Sequence, residues 1–198
     1  IVYTKNDDSI FLGNLDIIRL WHRLLRMSDI NISYTKGFNP QPKIDTGWAL
    51  PLGIESYCEL VKVETENPIT NINIDKLKSK MISGINIIDT IEFELDKSLD
   101  TLITKVQFFC KKPYLFDIDD KIMVKRKDTE KIFTVTDFVS DIEKSVKGFR
   151  FIIKVTPGGL KPIEYANAVA GFDVTNFDLI KEKVFIKEIG WLGKRIDD

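Results

Sequence analysis

The chain has 198 residues, with 29 Lys and Arg against 30 Asp and Glu, 43% hydrophobic and 30% charged. That composition belongs to a folded globular protein and excludes wholesale disorder. A net charge of -1 excludes a uniformly basic DNA-gripping surface, so any nucleic-acid site must be a local patch.

One histidine and two well-separated cysteines, Cys58 and Cys110, exclude a His-rich metal site and leave little for zinc. We expect no metal and no cofactor. No apolar run reaches the ~18–20 residues that span a bilayer, and no secretory leader is visible. The expectation is a cytoplasmic protein with reduced thiols.

Residues 1–3 read as the end of a strand. Residues 15–27 follow as a helix, with Leu15, Ile18, Leu25 and either Trp21 or His22 at helical spacing, Asn14 as N-cap and Asp16 in the first turn. Residues 31–34 alternate like a short strand. The segment Gly37-Phe38-Asn39-Pro40-Gln41-Pro42-Lys43 is too rich in Pro and Gly for helix or central strand. Residues 57–64 alternate as a strand, 73–83 read as a helix stopped by Gly84, and 85–95 as another strand.

The first half therefore predicts β-α-β-β-α-β, the order of the ferredoxin-like split β-α-β motif, in a domain of residues 1–96. A second, smaller α+β domain is expected over residues 102–198, as a loose repeat of the first. It comprises a strand at 102–110, a hairpin at 121–126 and 131–136, and an ambiguous stretch at 137–145. A strand at 148–156, a helix at 162–170 opened by Pro162, and a last strand at 184–189 follow.

Several chemistries are absent. The sequence holds no GxxxxGK[ST], no GxGxxG after a strand and no HExxH. A radical-SAM cluster needs three cysteines, more than the chain has. His22, in mid-helix, is expected to be a helix-flank residue and not a catalyst.

Three basic features remain. Arg19, Arg23 and Arg26 recur on one helix face, where guanidiniums hold phosphates or carboxylates; the alternative is a solvated face balanced by Asp16 and Asp29. Lys36 and Lys43 flank Phe38 in the Pro/Gly loop. Charge around an aromatic suits a single-stranded nucleotide, and the alternative is a turn that plugs Phe38 into the core. Lys121, Lys125, Arg126, Lys127 and Lys131 make a basic hairpin, which equally suits an edge protected from aggregation. Asp117, Asp119 and Asp120 lack the spacing of an EF-hand and read as a solvated loop.

Three blocks, residues 11–16 with the Arg-bearing helix, residues 34–44 and residues 50–56, together resemble the DUF2344 family of radical SAM-linked proteins. Residues 125–137 and Thr156-Pro157-Gly158-Gly159 fit it more loosely. The resemblance implies partnership with a cobalamin-type radical SAM protein. Genes for ribonuclease G and ribosomal proteins often lie beside the family's, which points to RNA. Asn14 and Gln41 stand where the family usually has histidine. Neither residue titrates near neutral pH or binds a transition metal well, so binding survives this change more easily than catalysis.

The expected function is thus a non-catalytic accessory module of a radical SAM enzyme that binds RNA or another macromolecular substrate. Arg19, Arg23, Lys36, Phe38, Asn39 and Lys43 are the expected contacts, and Asn14, Asp16, Gln41 and Glu55 the family-site positions. One rival is a docking partner that uses the surface around Phe38 and Trp48 without touching RNA. The other is an independent enzyme using Asp16, Asp45 or Glu55 as acid-base groups.

Overall fold

The helix expected at residues 15–27 is present in the computed structural model as α1 (Asn14–Met27), rotated from the predicted face. Ile17, Leu20, Trp21, Leu24 and Leu25 are buried, whereas Leu15 is 66% exposed. The set 17, 20, 21, 24, 25 satisfies i, i+3, i+4, i+7, i+8 and is the true apolar stripe. The cap also moves. Gly13 is the N-cap, and the Asp16 carboxylate accepts its N–H at 3.2 Å. Asn14 is the first helical residue, its side-chain oxygen accepting the Thr46 hydroxyl at 2.8 Å. At the other end Ser28 donates its hydroxyl to the Leu24 carbonyl, and Asp29 turns the chain with φ of 55°.

The structure describes residues 1–92, 97–118, 120–171 and 173–196. The fold is mixed α+β and divides into two compact units, residues 1–52 with 58–102 and residues 53–57 with 103–198. No helix among the described residues is long and apolar enough to cross a membrane.

In the first unit β1 (Val2–Lys5) lies between β5 (Ile87–Asp89) and β3 (Glu55–Leu60), whose first three residues belong to the second unit. The end of the strand expected at 85–95, residues 93–95, lies outside the described residues, as does residue 96 of the expected domain. The strand expected at 31–34 is reduced to two isolated bridges, Ile32 with Thr65 and Tyr34 with Pro42. Prolines at 40 and 42 deny the segment a continuous ladder. Beyond it β2 (Ile44–Asp45) pairs with β4 (Lys62–Val63). Helix α2 (Asn71–Lys78) opens on a capping box between Thr70 and Asn73, and α3 (Leu99–Leu102) closes the unit. Tyr3, Trp21, Leu24, Leu25, Val61, Leu77 and Ile85 form the core. Tyr3 and Trp21 meet edge to face at 4.9 Å.

Helix α2 ends at Lys78, before the expected stop. Gly84 instead seats the chain against β1, with φ of +80°, and its carbonyl accepts the Asn6 N–H at 2.9 Å. A Cβ there lies 1.9 Å from the Asn6 carbonyl oxygen. Gly84→Ala therefore combines a left-handed backbone with a clash against main chain. The expected result is a loss of about 1–3 kcal/mol or more, read as a lowered urea midpoint.

In the second unit β6 (Ile103–Cys110) runs antiparallel to both β10 (Gly148–Lys154) and β11 (Leu179–Ile186). β9 (Val139–Ser145) extends the sheet beyond β10, and β12 (Gly190–Gly193) pairs with β11. Glu55 and Ser56 of β3 pair in parallel with Ile180 and Lys181, making the sheet mixed. The hairpin of β7 (Lys121–Arg126) and β8 (Thr129–Thr134) leads through α4 (Val135–Phe138) into β9, so residues 137–145, expected as a short helix or part of a loop, are mostly a strand held by pairing with β10. Helix α5 (Pro162–Ala170) starts on its proline as expected and packs Tyr165 on Phe151, rings 4.9 Å apart.

Arg126 ties the basic hairpin to the Thr156-Pro157-Gly158-Gly159 turn. Its guanidinium donates to both Glu164 carboxylate oxygens, at 2.7 and 2.5 Å, and to the carbonyls of Gly158 and Gly159 at 3.0 and 2.6 Å. Burial raises the Glu164 pKa, but hydrogen bonds from Arg126 and the Lys161 N–H outweigh it and hold the carboxyl below its usual range. A carboxylate with a depressed folded pKa contributes stability that is full above the unfolded value, about 4.5, and is lost as pH falls through the folded value. Wild type is expected to exceed Glu164→Gln in urea midpoint at pH 7, with the gap closing in acid below about pH 4.5.

Candidate functional site

The Pro/Gly segment is a hairpin and not a core plug. Around the Tyr34–Pro42 bridge, the Thr35 N–H donates to the Gln41 carbonyl and the Gln41 N–H to the Thr35 hydroxyl, both at 2.9 Å. The Lys43 N–H donates to the Ser33 carbonyl at 2.9 Å. Gly37 takes φ of +143°, which a side chain resists, and so turns the tip. Phe38 stands there with its ring wholly in solvent, 108% exposed, flanked by exposed Lys36 and Asn39. An exposed ring on a pre-shaped turn costs little ordering when something stacks on it.

The hairpin root is moored to α1. His22 Nε2 and the Tyr34 hydroxyl lie 3.0 Å apart, with ring centroids at 6.2 Å in an edge-to-face arrangement. His22 is thus a positioning residue on the helix flank. On a 3.6-residue period Arg19, Arg26 and Arg23 form the exposed stripe beside it. Arg19 lies 3.8 Å from Asp16 in an exposed, weak pair. Arg23, Arg26 and Lys36 have no ion pair among the described residues. Lys43 is engaged by Glu64 at 2.6 Å, so its charge is partly spent locally.

The family-site positions scatter over different tasks. Asn14 accepts from Thr46 at a narrow crevice, about 10 Å³, lined also by Lys5, Trp48 and Glu59. That volume suits one water molecule, not a substrate. Burial, and then the nearby Glu59 charge, push the Tyr3 phenol up there, so it stays protonated. Gln41 enters the hairpin through its backbone and does not line that crevice. Asp16 serves as helix cap. Glu55 belongs to the second unit and faces Lys111 at 3.7 Å. Asp45 accepts backbone N–H groups of Gly47 and Leu99 at 2.9 and 2.7 Å, a turn-fixing role.

In the second unit, the basic hairpin loses Arg126 to Glu164, and its exposed face pairs Met123 with Ile132. Asp117 faces Lys144 at 2.5 Å, a hydrogen bond that holds its carboxyl below the usual range. Asp119 lies outside the described residues, and the Asp120 carbonyl accepts from Val135.

Two charged arrangements escaped the sequence reading. One is a buried pair, Arg150 with Glu182. Its only signal is a charged residue breaking an apolar strand run. The other is an open cleft of about 390 Å³ beside the hairpin root, lined by Arg26, Asp29, Ile30, Asn31, Ile32, Tyr34 and Glu66.

No curated protein matches the chain. Residues 1–176 match the family described as "Uncharacterized protein conserved in bacteria (DUF2344)", and the chain belongs to that family.

Proposed function

We propose that this protein is a non-catalytic binding module that holds single-stranded RNA for a radical SAM enzyme. One observation carries the reading: Phe38 stands fully exposed at the tip of a hydrogen-bonded hairpin moored by Tyr34 to the helix that bears Arg19, Arg23 and Arg26. Aromatic stacking and guanidinium–phosphate contacts are what single strands require, and they need no overall basic charge. Lys36, Asn39 and Lys43 complete the contact set. The scattered carboxylates Asp16, Asp45 and Glu55, each with a local partner, favour binding over acid-base catalysis.

We also read the first unit as ferredoxin-like, supported by β5 and β3 flanking β1 with a helix in each intervening connection. The second unit's order, β11-β6-β10-β9, follows the same neighbour pattern. β10 and β11 both run antiparallel to β6, and β9 antiparallel to β10, as in the all-antiparallel sheet of that motif, which supports a loose repeat.

The partnership is tested by capturing the tagged full chain from native lysate, with proteins identified by mass spectrometry and nucleic acid quantified. Recovery of a radical SAM protein with RNA is the expected result. The enzyme without RNA favours a docking partner resting on Phe38 and Trp48, and neither overturns the reading.

A further inference from the structure

We propose that the cleft at the hairpin root is a guanine-reading pocket for one base of the bound strand, an inference that rests on the single-strand reading above. The cleft, about 390 Å³, falls within the ~300–1,000 Å³ of small-ligand sites and lies wholly in the first unit. Its lining mixes the nearly buried Ile30 and Ile32 with the half-exposed Tyr34 and the polar Arg26, Asn31 and Glu66. The Tyr34 ring is a surface on which a base stacks.

Its polar groups are of different kinds. Asp29 pairs with Lys76 at the exposed rim. The side chains of Arg26, Asn31 and Glu66 have no hydrogen-bond or ion-pair partner among the described residues, so a ligand displaces no internal bond to reach them. The Glu66 N–H donates to the Asn31 carbonyl at 3.0 Å, which sets these two residues side by side.

A carboxylate accepts hydrogen bonds and gives none. Among the four bases only guanine presents two adjacent donors, N1–H and the N2 amino group, that one carboxylate takes bidentately. Uracil offers a single N–H between two carbonyls, which a carboxylate repels. The Asn31 amide supplies a donor for the guanine carbonyl. Arg26, at the end of the basic stripe, meets the adjoining phosphate and continues the track from Arg19 and Arg23 into the cleft. Glu66 thus serves discrimination, and the stripe serves affinity.

The test uses the full-length chain and two fluorescently labelled RNA dodecamers, oligouridine and the same strand with one central guanosine, titrated by anisotropy. The expected result is about tenfold tighter binding of the guanosine-bearing strand, in line with one bidentate base contact. Glu66→Gln is expected to erase that preference, with oligouridine bound no more weakly than by wild type. Equal affinity of the two strands for wild type overturns the pocket and leaves the single-strand reading standing. So does a preference that survives in Glu66→Gln. Absence of binding by either strand overturns both.

Discussion

Glu182→Ala is expected to destabilise the second unit by about 3–5 kcal/mol, the loss typical when one partner of a buried ion pair is removed. Arg150 is 6% and Glu182 0% exposed. The Arg150 guanidinium donates to Glu182 through Nε at 3.0 Å and through its terminal nitrogen at 3.1 Å. Gln107 adds a bond at 2.9 Å and the Ile196 N–H another at 3.1 Å. The register of β11 against β6 shifts between Lys181 and Lys183, so Glu182 is the extra residue of a bulge. Alanine there takes the carboxylate away from a buried guanidinium that also packs over the Phe109 ring at 4.9 Å. Urea denaturation is the measurement, with a lowered midpoint as the expected result. Arg150→Met combined with Glu182→Leu is expected to recover much of the loss, because neither variant side chain needs solvation. A single variant as stable as wild type contradicts this account.

The second large effect concerns binding. Phe38→Ala removes the exposed ring, and one stacked base is worth about 1–3 kcal/mol by such substitution. The expected loss of single-stranded RNA affinity is therefore on the order of tenfold. Arg23→Glu reverses a charge in the stripe and is expected to cost at least as much, with a shallower salt dependence. Both side chains are exposed, so neither change is expected to alter the stability measured by urea denaturation by more than ~0.5 kcal/mol. Reduced affinity with unchanged stability separates a contact from a structural role. Wild-type affinity in Arg23→Glu removes the helix stripe from the site.

The sequence revealed most where signals were local. Pro162 marked the start of α5, and the strands expected at 102–110 and 121–126 agree with β6 and β7 to within a residue. It misled where tertiary contacts decide. Leu25 and Trp21 lie on the buried face as expected, but packing in the core with Tyr3 and Val61 takes Ile17 and Leu20 beside them in place of Leu15 and Ile18. β11 begins at Leu179, five residues before the predicted strand, because buried Lys181 and Glu182 obscure its apolar pattern.

For the candidate site, composition marked the hairpin and the arginines separately. It did not show that Phe38 faces solvent, nor that Tyr34 moors the loop to His22. The cleft was invisible because its walls come from residues 26–34 and residue 66, brought together by long-range pairing around Ile32 and Thr65. Asn14 and Gln41 drew attention through family resemblance, yet Gln41 does not line the crevice that Asn14 lines.

The central claim is that the α1 and hairpin face of the first unit grips a single RNA strand. Its most direct measurement is wild-type affinity for labelled single-stranded RNA at several salt concentrations. We expect saturable binding that weakens with salt, with a log–log slope of about −2 to −3, as for three or four phosphate contacts on a single strand. No binding at low salt, or binding indifferent to salt, contradicts the account.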